Sequence, residues 1–310
     1  MTARRNLFVP RRGAAFCYIP AHVISRARKS SVDNDFGAEH TTAKLRALGD
    51  YLPAYTTALK AQPFRLTYID AFAGTGECRI KIRGGEKITI PGSATLGHRC
   101  DPPFDRLVFI EKHSGFVDDL NRLRASTPER EIDVICGDAN VELPRVLARL
   151  NPASDRTVIF LDPFGMELDW ATLKAVAKSG FADVWYLFPL SGLYRQAAHN
   201  STDVDAGKAA RLTRMLGTDR WRVDFYKEPP QMGLFSKPDE VRDFDVQQMT
   251  DWVTEHLRSI FPKVMPPKIL HQTMPSGVQG APLYALYFAM ANPSYRAHAL
   301  ATRLVTPSLR

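Results

Sequence analysis

At 310 residues, with 45% hydrophobic and 24% charged side chains, the chain has room for one large α/β domain with a helical attachment and can bury a substantial core. No run of about 18 apolar residues occurs, which excludes a membrane-spanning helix; the four cysteines (Cys17, Cys78, Cys100, Cys136) lack C-x-x-C spacing, which argues against a disulfide framework or zinc site and fits reduced thiols in the cytoplasm. The net charge of +8 sits in one segment: residues 1–32 hold seven Lys or Arg and no acid, and the remainder holds 34 basic against 33 acidic residues.

Residues 1–35 read as a disordered basic arm without sustained periodicity. Its Arg4-Arg5 pair precedes no apolar stretch suited to an export signal, because Pro20 and His22 interrupt the residues after it. Over residues 40–60, Leu45, Leu48, Leu52, Tyr55 and Leu59 recur every three to four positions, which predicts an amphipathic helix kinked at Pro53. A first strand covers residues 66–70. Ile80, Ile82, Ile88 and Ile90 then alternate with polar residues around Gly84-Gly85, the pattern of a hairpin over 79–90. A helix is expected to start at Pro91-Gly92-Ser93, with Ser93 as its cap. Strands over 106–111, 132–136 and 157–162 alternate with helices over 115–125 and 141–150, and a fifth strand covers 184–188; this alternation predicts βαβ units and a parallel sheet. Residues 196–262 break the rhythm with charged helical segments and a loop at Glu228-Pro229-Pro230, and read as a helical insertion or lid. Strands over 268–273 and 283–290, around Pro275-Ser276-Gly277, close the sheet as an antiparallel hairpin. The expected organisation is an arm (1–35), a core with an N-terminal helix and hairpin (36–195), the insertion (196–262), and strands and a helix that complete the sheet (263–310).

The stretch Tyr68-Ile69-Asp70-Ala71-Phe72-Ala73-Gly74-Thr75-Gly76 takes a buried strand into an acid and a glycine loop, where open α/β sheets bind nucleotide-like ligands. Gly74 and Gly76 allow a tight turn and close approach to a ligand. The loop lacks the third glycine of the dinucleotide fingerprint, and no phosphate-loop motif occurs elsewhere. Its form, D-x-F-x-G-x-G, is close to the S-adenosylmethionine loop of methyltransferases. On that reading Asp70, Phe72, Gly74, Thr75 and Gly76 lie at the methionyl end. A carboxylate there accepts from the ammonium, directly or through water, and favours the sulfonium over the thioether product, S-adenosylhomocysteine. Glu111, closing the second strand, is placed for the ribose hydroxyls. Asp138, followed by Ala139, is placed for the adenine amine. Each acid could instead be a solvated loop residue or a helix cap.

The fourth strand ends in Leu161-Asp162-Pro163-Phe164-Gly165, which resembles the [DN]-P-P-[YF] loop of enzymes that methylate exocyclic amines of bases. In that likeness Asp162 accepts from the target amine and orients its lone pair, Pro163 fixes the backbone, and Phe164 stacks on the acceptor. Ser93 and Arg195 are candidate substrate-binding residues; Arg195 suits an anionic group, or else a surface ion pair. The eight histidines share no metal-binding spacing, and no metal is expected.

Taken in order, Tyr68–Gly76, Pro91-Gly92-Ser93, Phe109-Ile110-Glu111-Lys112, Gly137-Asp138-Ala139-Asn140, Leu161-Asp162-Pro163-Phe164-Gly165-Met166 and Asp183-Val184-Trp185-Tyr186-Leu187-Phe188-Pro189 resemble the three-Cys-motif partner family, bacterial methyltransferase-like proteins. The likeness spans residues 40–226, including Gly217-Thr218 and Trp221. It implies an α/β fold with a Rossmann-like class I methyltransferase sheet, S-adenosylmethionine as cofactor, and a partner bearing a three-cysteine motif of the radical or iron–sulfur type. Two function classes are open. One is a methyltransferase acting on a nitrogen or oxygen of a nucleobase, nucleoside or other small polar molecule, with nucleic acid reached through the arm at 1–32 as a further option. The other is a non-catalytic or cofactor-binding partner or scaffold. A nicotinamide oxidoreductase is disfavoured by the missing third glycine and by the lack of an acid about 20 positions beyond the loop.

Overall fold

A computed structural model of the chain describes residues 36–81, 86–227, 240–273 and 279–309. The basic arm, the Gly84-Gly85 turn, the Glu228-Pro229-Pro230 loop and the Pro275-Ser276-Gly277 turn lie outside the described residues, and so does Cys17.

The chain enters through a two-residue strand β1 (Phe36–Gly37) and helix α1 (Ala38–Leu59). Leu45, Leu48, Tyr51, Leu52 and Tyr55 form the helix's buried stripe. The helix runs through Pro53 as one element. Strand β2 (Arg65–Asp70) opens the sheet, and the hairpin β3 (Glu77–Lys81) and β4 (Lys87–Pro91) comes after it, with β1 pairing in parallel to β3. Helix α2 (Ser93–His98), strand β5 (Arg106–Glu111), helix α3 (Ser114–Ala125), strand β6 (Glu131–Cys136), helix α4 (Ala139–Leu147), strand β7 (Asp155–Leu161) and strand β8 (Ala182–Phe188) follow the alternation read in the sequence, and helix α5 (Trp170–Ser179) between β7 and β8 adds to it.

After β8 come α6 (Leu190–Gln196), a 3-10 turn (Ser201–Asp203), α7 (Ala206–Leu216), α8 (Trp221–Asp224), the short pair β9 (Tyr226–Lys227) and β10 (Val241–Arg242), and α9 (Val246–Arg258). Strands β11 (Lys263–Val264), β12 (Lys268–Thr273) and β13 (Gln279–Met290) and helix α10 (Tyr295–Leu309) complete the fold. The main sheet runs β6-β5-β2-β7-β8-β13, with β11 and β12 one after the other along the outer edge of β13. The first five strands are parallel and β13 is antiparallel, Ala285 facing Phe188 and Met290 facing Asp183. The architecture is the Rossmann-like α/β sheet with an antiparallel closing hairpin.

Central strands β2, β7 and β8 are buried on both faces, as parallel strands flanked by helices must be. One face packs against α1, α2, α3 and α10 through Leu48, Leu52, Leu120 and Val305. The other packs against α4 to α9 through Leu143, Leu173, Leu193, Leu212, Val253 and Leu257. The described helices α7, α8 and α9 thus bury their apolar faces in the same core as α4 and α5. Gly217 joins them: its positive φ of 66° ends α7, and a Cβ there would sit 2.0 Å from the Trp170 ring. The Trp170 ring in turn stacks on His256 of α9 at 4.0 Å. Among the described residues no helix is long and apolar enough to cross a membrane.

Candidate functional site

Because β2, β5, β6 and β7 are parallel, their C-terminal ends share one rim. Asp70 is the last residue of β2 and Glu111 the last of β5; Asp138 lies two positions past β6, and Asp162 is the first residue after β7. The four acids singled out in the sequence emerge on one side of the molecule.

Their environments differ. Asp70 is fully buried, at 0% exposure, under the loop it starts. Phe72 N donates to its Oδ1 at 3.3 Å, and the Tyr68 hydroxyl lies 3.4 Å from Oδ2. Burial raises its carboxyl to about 7; hydrogen bonds from Ser93 and Phe72 oppose the rise, and the charges of Asp162 and Glu111 add to it. Direct contact between Asp70 and a ligand ammonium is therefore blocked in this conformation, which leaves the indirect route. Phe72 packs partly into the core, and the Thr75 hydroxyl donates to Glu77 O at 3.0 Å to open the hairpin. Gly74 (φ 59°) has nothing within 4 Å of where a Cβ would stand, so the loop faces open space there. The carbonyl of Gly76 accepts from Gly92 N at 2.8 Å and from the Thr95 hydroxyl at 2.5 Å.

That close approach decides the start of α2. A Cβ on Gly92 would sit 2.9 Å from Gly76 O, so glycine occupies the cap position and Ser93 is the first helical residue, a correction to the expected serine cap. Ser93 is buried, and its hydrogen bond to Asp70 turns it toward the loop's foundation.

Glu111 is pinned at both oxygens: Oε2 accepts Gly74 N at 2.8 Å and Oε1 accepts His113 N at 2.7 Å. Each oxygen keeps a further lone pair, so the group is a preoriented acceptor that also ties the glycine loop to β5. Asp138 caps α4, its Oδ1 accepting Asn140 N at 2.9 Å, while Lys112 Nζ lies 3.3 Å from Oδ2. The Asn140 backbone bond is the largest influence on its carboxyl; burial opposes it, Lys112 adds to it, and the net effect is below the ordinary aspartate value. The helix-cap alternative for Asp138 is thus realised. Ala139 turns its methyl into the core, so only its backbone is left for a ligand. The Asn140 side chain braces the loop after β7, donating to Glu167 O at 2.8 Å and accepting from Asp169 N and the Thr172 hydroxyl, both at 2.9 Å.

Asp162 meets a residue that the sequence motifs do not single out. Lys44 of α1 places Nζ 2.5 Å from Asp162 Oδ2, with the lysine side chain 8% and the aspartate side chain 23% exposed. Burial would lower the Lys44 ammonium; the charge and hydrogen bond of Asp162 outweigh it and leave the group raised. His40, one turn earlier, is lowered by burial and by Lys44, with Asp162 acting the other way, and its ring lies 5.4 Å from that of Tyr284. Cys78, on the inner side of the hairpin, is raised to about 11, chiefly by burial. The sequence did contain a signal. Lys44 stands four positions before Leu48 and seven before Tyr51, inside the buried stripe of α1, where a lysine needs a partner.

Past Asp162, Pro163 is buried, Gly165 takes φ 60°, and the Phe164 ring is 71% exposed. Arg195 is exposed on α6 and forms no ion pair with another described residue. Among the described residues no group of three His, Cys, Asp or Glu gathers as a metal site. At the opposite ends of the strands a cavity of about 520 Å³ opens between α1 and α10, with Asp183 at its wall. The Tyr51 hydroxyl donates to Asp183 at 2.6 Å, and burial raises that carboxyl to about 6.

No protein-family model and no curated protein matches the chain. Solved structures do. A Legionella pneumophila protein of the DUF519 family is 14% identical over 87% of this chain and 91% of its own, with a TM-score of 0.50. An S-adenosylmethionine-dependent methyltransferase from Clostridium acetobutylicum is 11% identical over 79% and 91%, with a TM-score of 0.35. The C-terminal domain of precorrin-6Y C5,15-methyltransferase from Rhodobacter capsulatus is 10% identical over 76% and 84%, also at 0.35. At these identities the likeness is one of fold.

Proposed function

We propose that the protein is an S-adenosylmethionine-dependent methyltransferase whose acceptor is a nitrogen or oxygen on a nucleobase, nucleoside or other small polar molecule. The observation that carries the reading is the rim itself. Glu111 is held ready to accept beside an open glycine loop, and Asp162 stands on the other side of β2, at the tip of β7, with an exposed phenylalanine after its proline. The residues present fit the cofactor: the open face of Gly74 leaves room for its methionyl end, and Glu111 has lone pairs to spare for a ribose diol.

When bound, the cofactor supplies an activated methyl group, so the chain's work is placement, with the attacking atom about 3–3.5 Å from the methyl carbon. Asp162 accepts a hydrogen bond from the acceptor and turns its lone pair toward the methyl. Phe164 offers a flat face to a planar acceptor. The acceptor's proton leaves to water. The three-cysteine partner rests on the sequence resemblance, and the Trp-Tyr-Leu-Phe segment within it is buried in β8, where it serves packing.

Calorimetry with S-adenosylmethionine, then incubation with methyl-labelled cofactor and fractionated cell extract, tests the proposal. Binding and label in a nucleoside, small-molecule or nucleic-acid fraction are expected. Absence of binding at millimolar cofactor would favour the scaffold reading.

A further inference from the structure

We infer that Lys44 is the positioning residue for Asp162: it occupies Oδ2 and leaves Oδ1 as the atom that receives the acceptor's N–H. The inference rests on the methyltransferase reading above, and its geometry stands apart from that reading.

Lys44 and Asp162 are 118 positions apart, on α1 and after β7, and meet at 2.5 Å with the lysine almost sealed from solvent. A buried ion pair of this kind adds little to stability, because desolvation of both charges offsets their attraction, and an apolar replacement of similar volume is often neutral or stabilising. Folding therefore gives weak reason for a lysine in the apolar stripe of α1. The site gives a better one. Among the described residues no other group hydrogen-bonds the Asp162 carboxylate, so one oxygen is fixed and the other remains for a ligand. The groups that face the pair are His40 of α1, Tyr68 and Asp70 of β2, Cys78 of β3 and Tyr284 of β13. Asp70 repels a second negative charge at Asp162, and Lys44 is the cation that counters it.

The pair also assigns the proton. The Lys44 ammonium already donates to Oδ2, so the free oxygen of Asp162 serves as a hydrogen-bond acceptor. In the transfer step the acceptor nitrogen's lone pair forms the new N–C bond, the S–C bond breaks with its electron pair going to sulfur, and the proton on the methylated nitrogen passes to water. Asp162 orients and does not take up the proton.

The test uses the full chain with Lys44→Met and Lys44→Arg. With labelled S-adenosylmethionine and the extract fraction that takes label from the unaltered protein, Lys44→Met is expected to lower kcat at least about 100-fold. Cofactor affinity should stay within about threefold, so the loss falls on kcat. Lys44→Arg should restore most of the rate. A Lys44→Met protein that transfers methyl within about threefold of the unaltered chain overturns the inference. Lysine Nζ NMR on the unaltered chain and on Asp162→Asn gives a readout that needs neither an acceptor nor a folded Lys44→Met. The Lys44 titration should fall when the aspartate charge is removed, and no change overturns the pairing. If no extract fraction takes label from the unaltered protein, the methyltransferase reading fails while the NMR result still decides whether Lys44 and Asp162 are coupled.

Discussion

Glu111 and Asp162 occupy one rim with different partners, and those partners separate their expected roles. Glu111 is braced by two backbone donors and faces the glycine loop, so Glu111→Ala should weaken S-adenosylmethionine binding by roughly 1–3 kcal/mol, the scale of a charged hydrogen bond. Asp162→Ala should leave calorimetric cofactor affinity nearly unchanged and abolish transfer. Loss of both binding and transfer in Asp162→Ala would refute this division. Asp70 makes a further prediction, about pH. Its folded value of about 7 lies above the ordinary 3.8, so its protonated form favours the fold; that contribution is complete below about pH 4 and is lost as pH rises through about 7. Asp70→Asn should therefore raise the Tm of the cofactor-free protein at pH 8, with the gain shrinking toward pH 4. An equal shift at both pH values would show that burial of this carboxyl is not the cause.

At the scale of elements, the strands were legible and their company was less so. Strand β5 is where the apolar run 106–111 placed it, because a strand buried on both faces needs an unbroken apolar sequence. Strand β6 begins one residue before the run 132–136, and β7 and β8 begin two residues earlier than their runs, since Asp155, Arg156 and Asp183 pair in the sheet despite their charge. Helix α5 has no counterpart among the predicted elements, although Leu173 and Val176 place its apolar face on the core. The acids at the strand ends could be read locally, because parallel strands bring their tips together without knowledge of the rest of the fold. The Lys44–Asp162 contact joins α1 to the loop after β7, and no local pattern specifies such a pair. Neither could the sequence show that Gly92 touches Gly76 and so displaces Ser93 from the cap. Gly217 offers a test at this scale. Alanine there meets both the left-handed backbone and the Trp170 ring, and Gly217→Ala should cost at least about 2 kcal/mol by urea unfolding. A cost below about 0.5 kcal/mol would mean that α7 and α9 do not depend on this contact.

The whole chain sets its positive charge apart from a nearly balanced body: seven basic residues lie in the first 32. If the acceptor is part of a nucleic acid and the arm binds its phosphates, affinity for a mixed RNA or DNA probe should fall steeply between 50 and 200 mM salt, by about 10-fold or more for a few phosphate contacts, and removal of residues 1–34 should flatten that slope. Shallow dependence in both proteins would leave a small molecule as the acceptor. The entry of the chain has one more consequence. Phe36–Gly37 zips onto β3, and within two turns of α1 the backbone delivers Lys44 to the cleft. Removal of the residues up to and including Lys44 would spare every strand of the large sheet yet strip the rim of its ammonium. On the methyltransferase proposal, a chain shortened in this way is expected to bind S-adenosylmethionine in calorimetry and to transfer no methyl group.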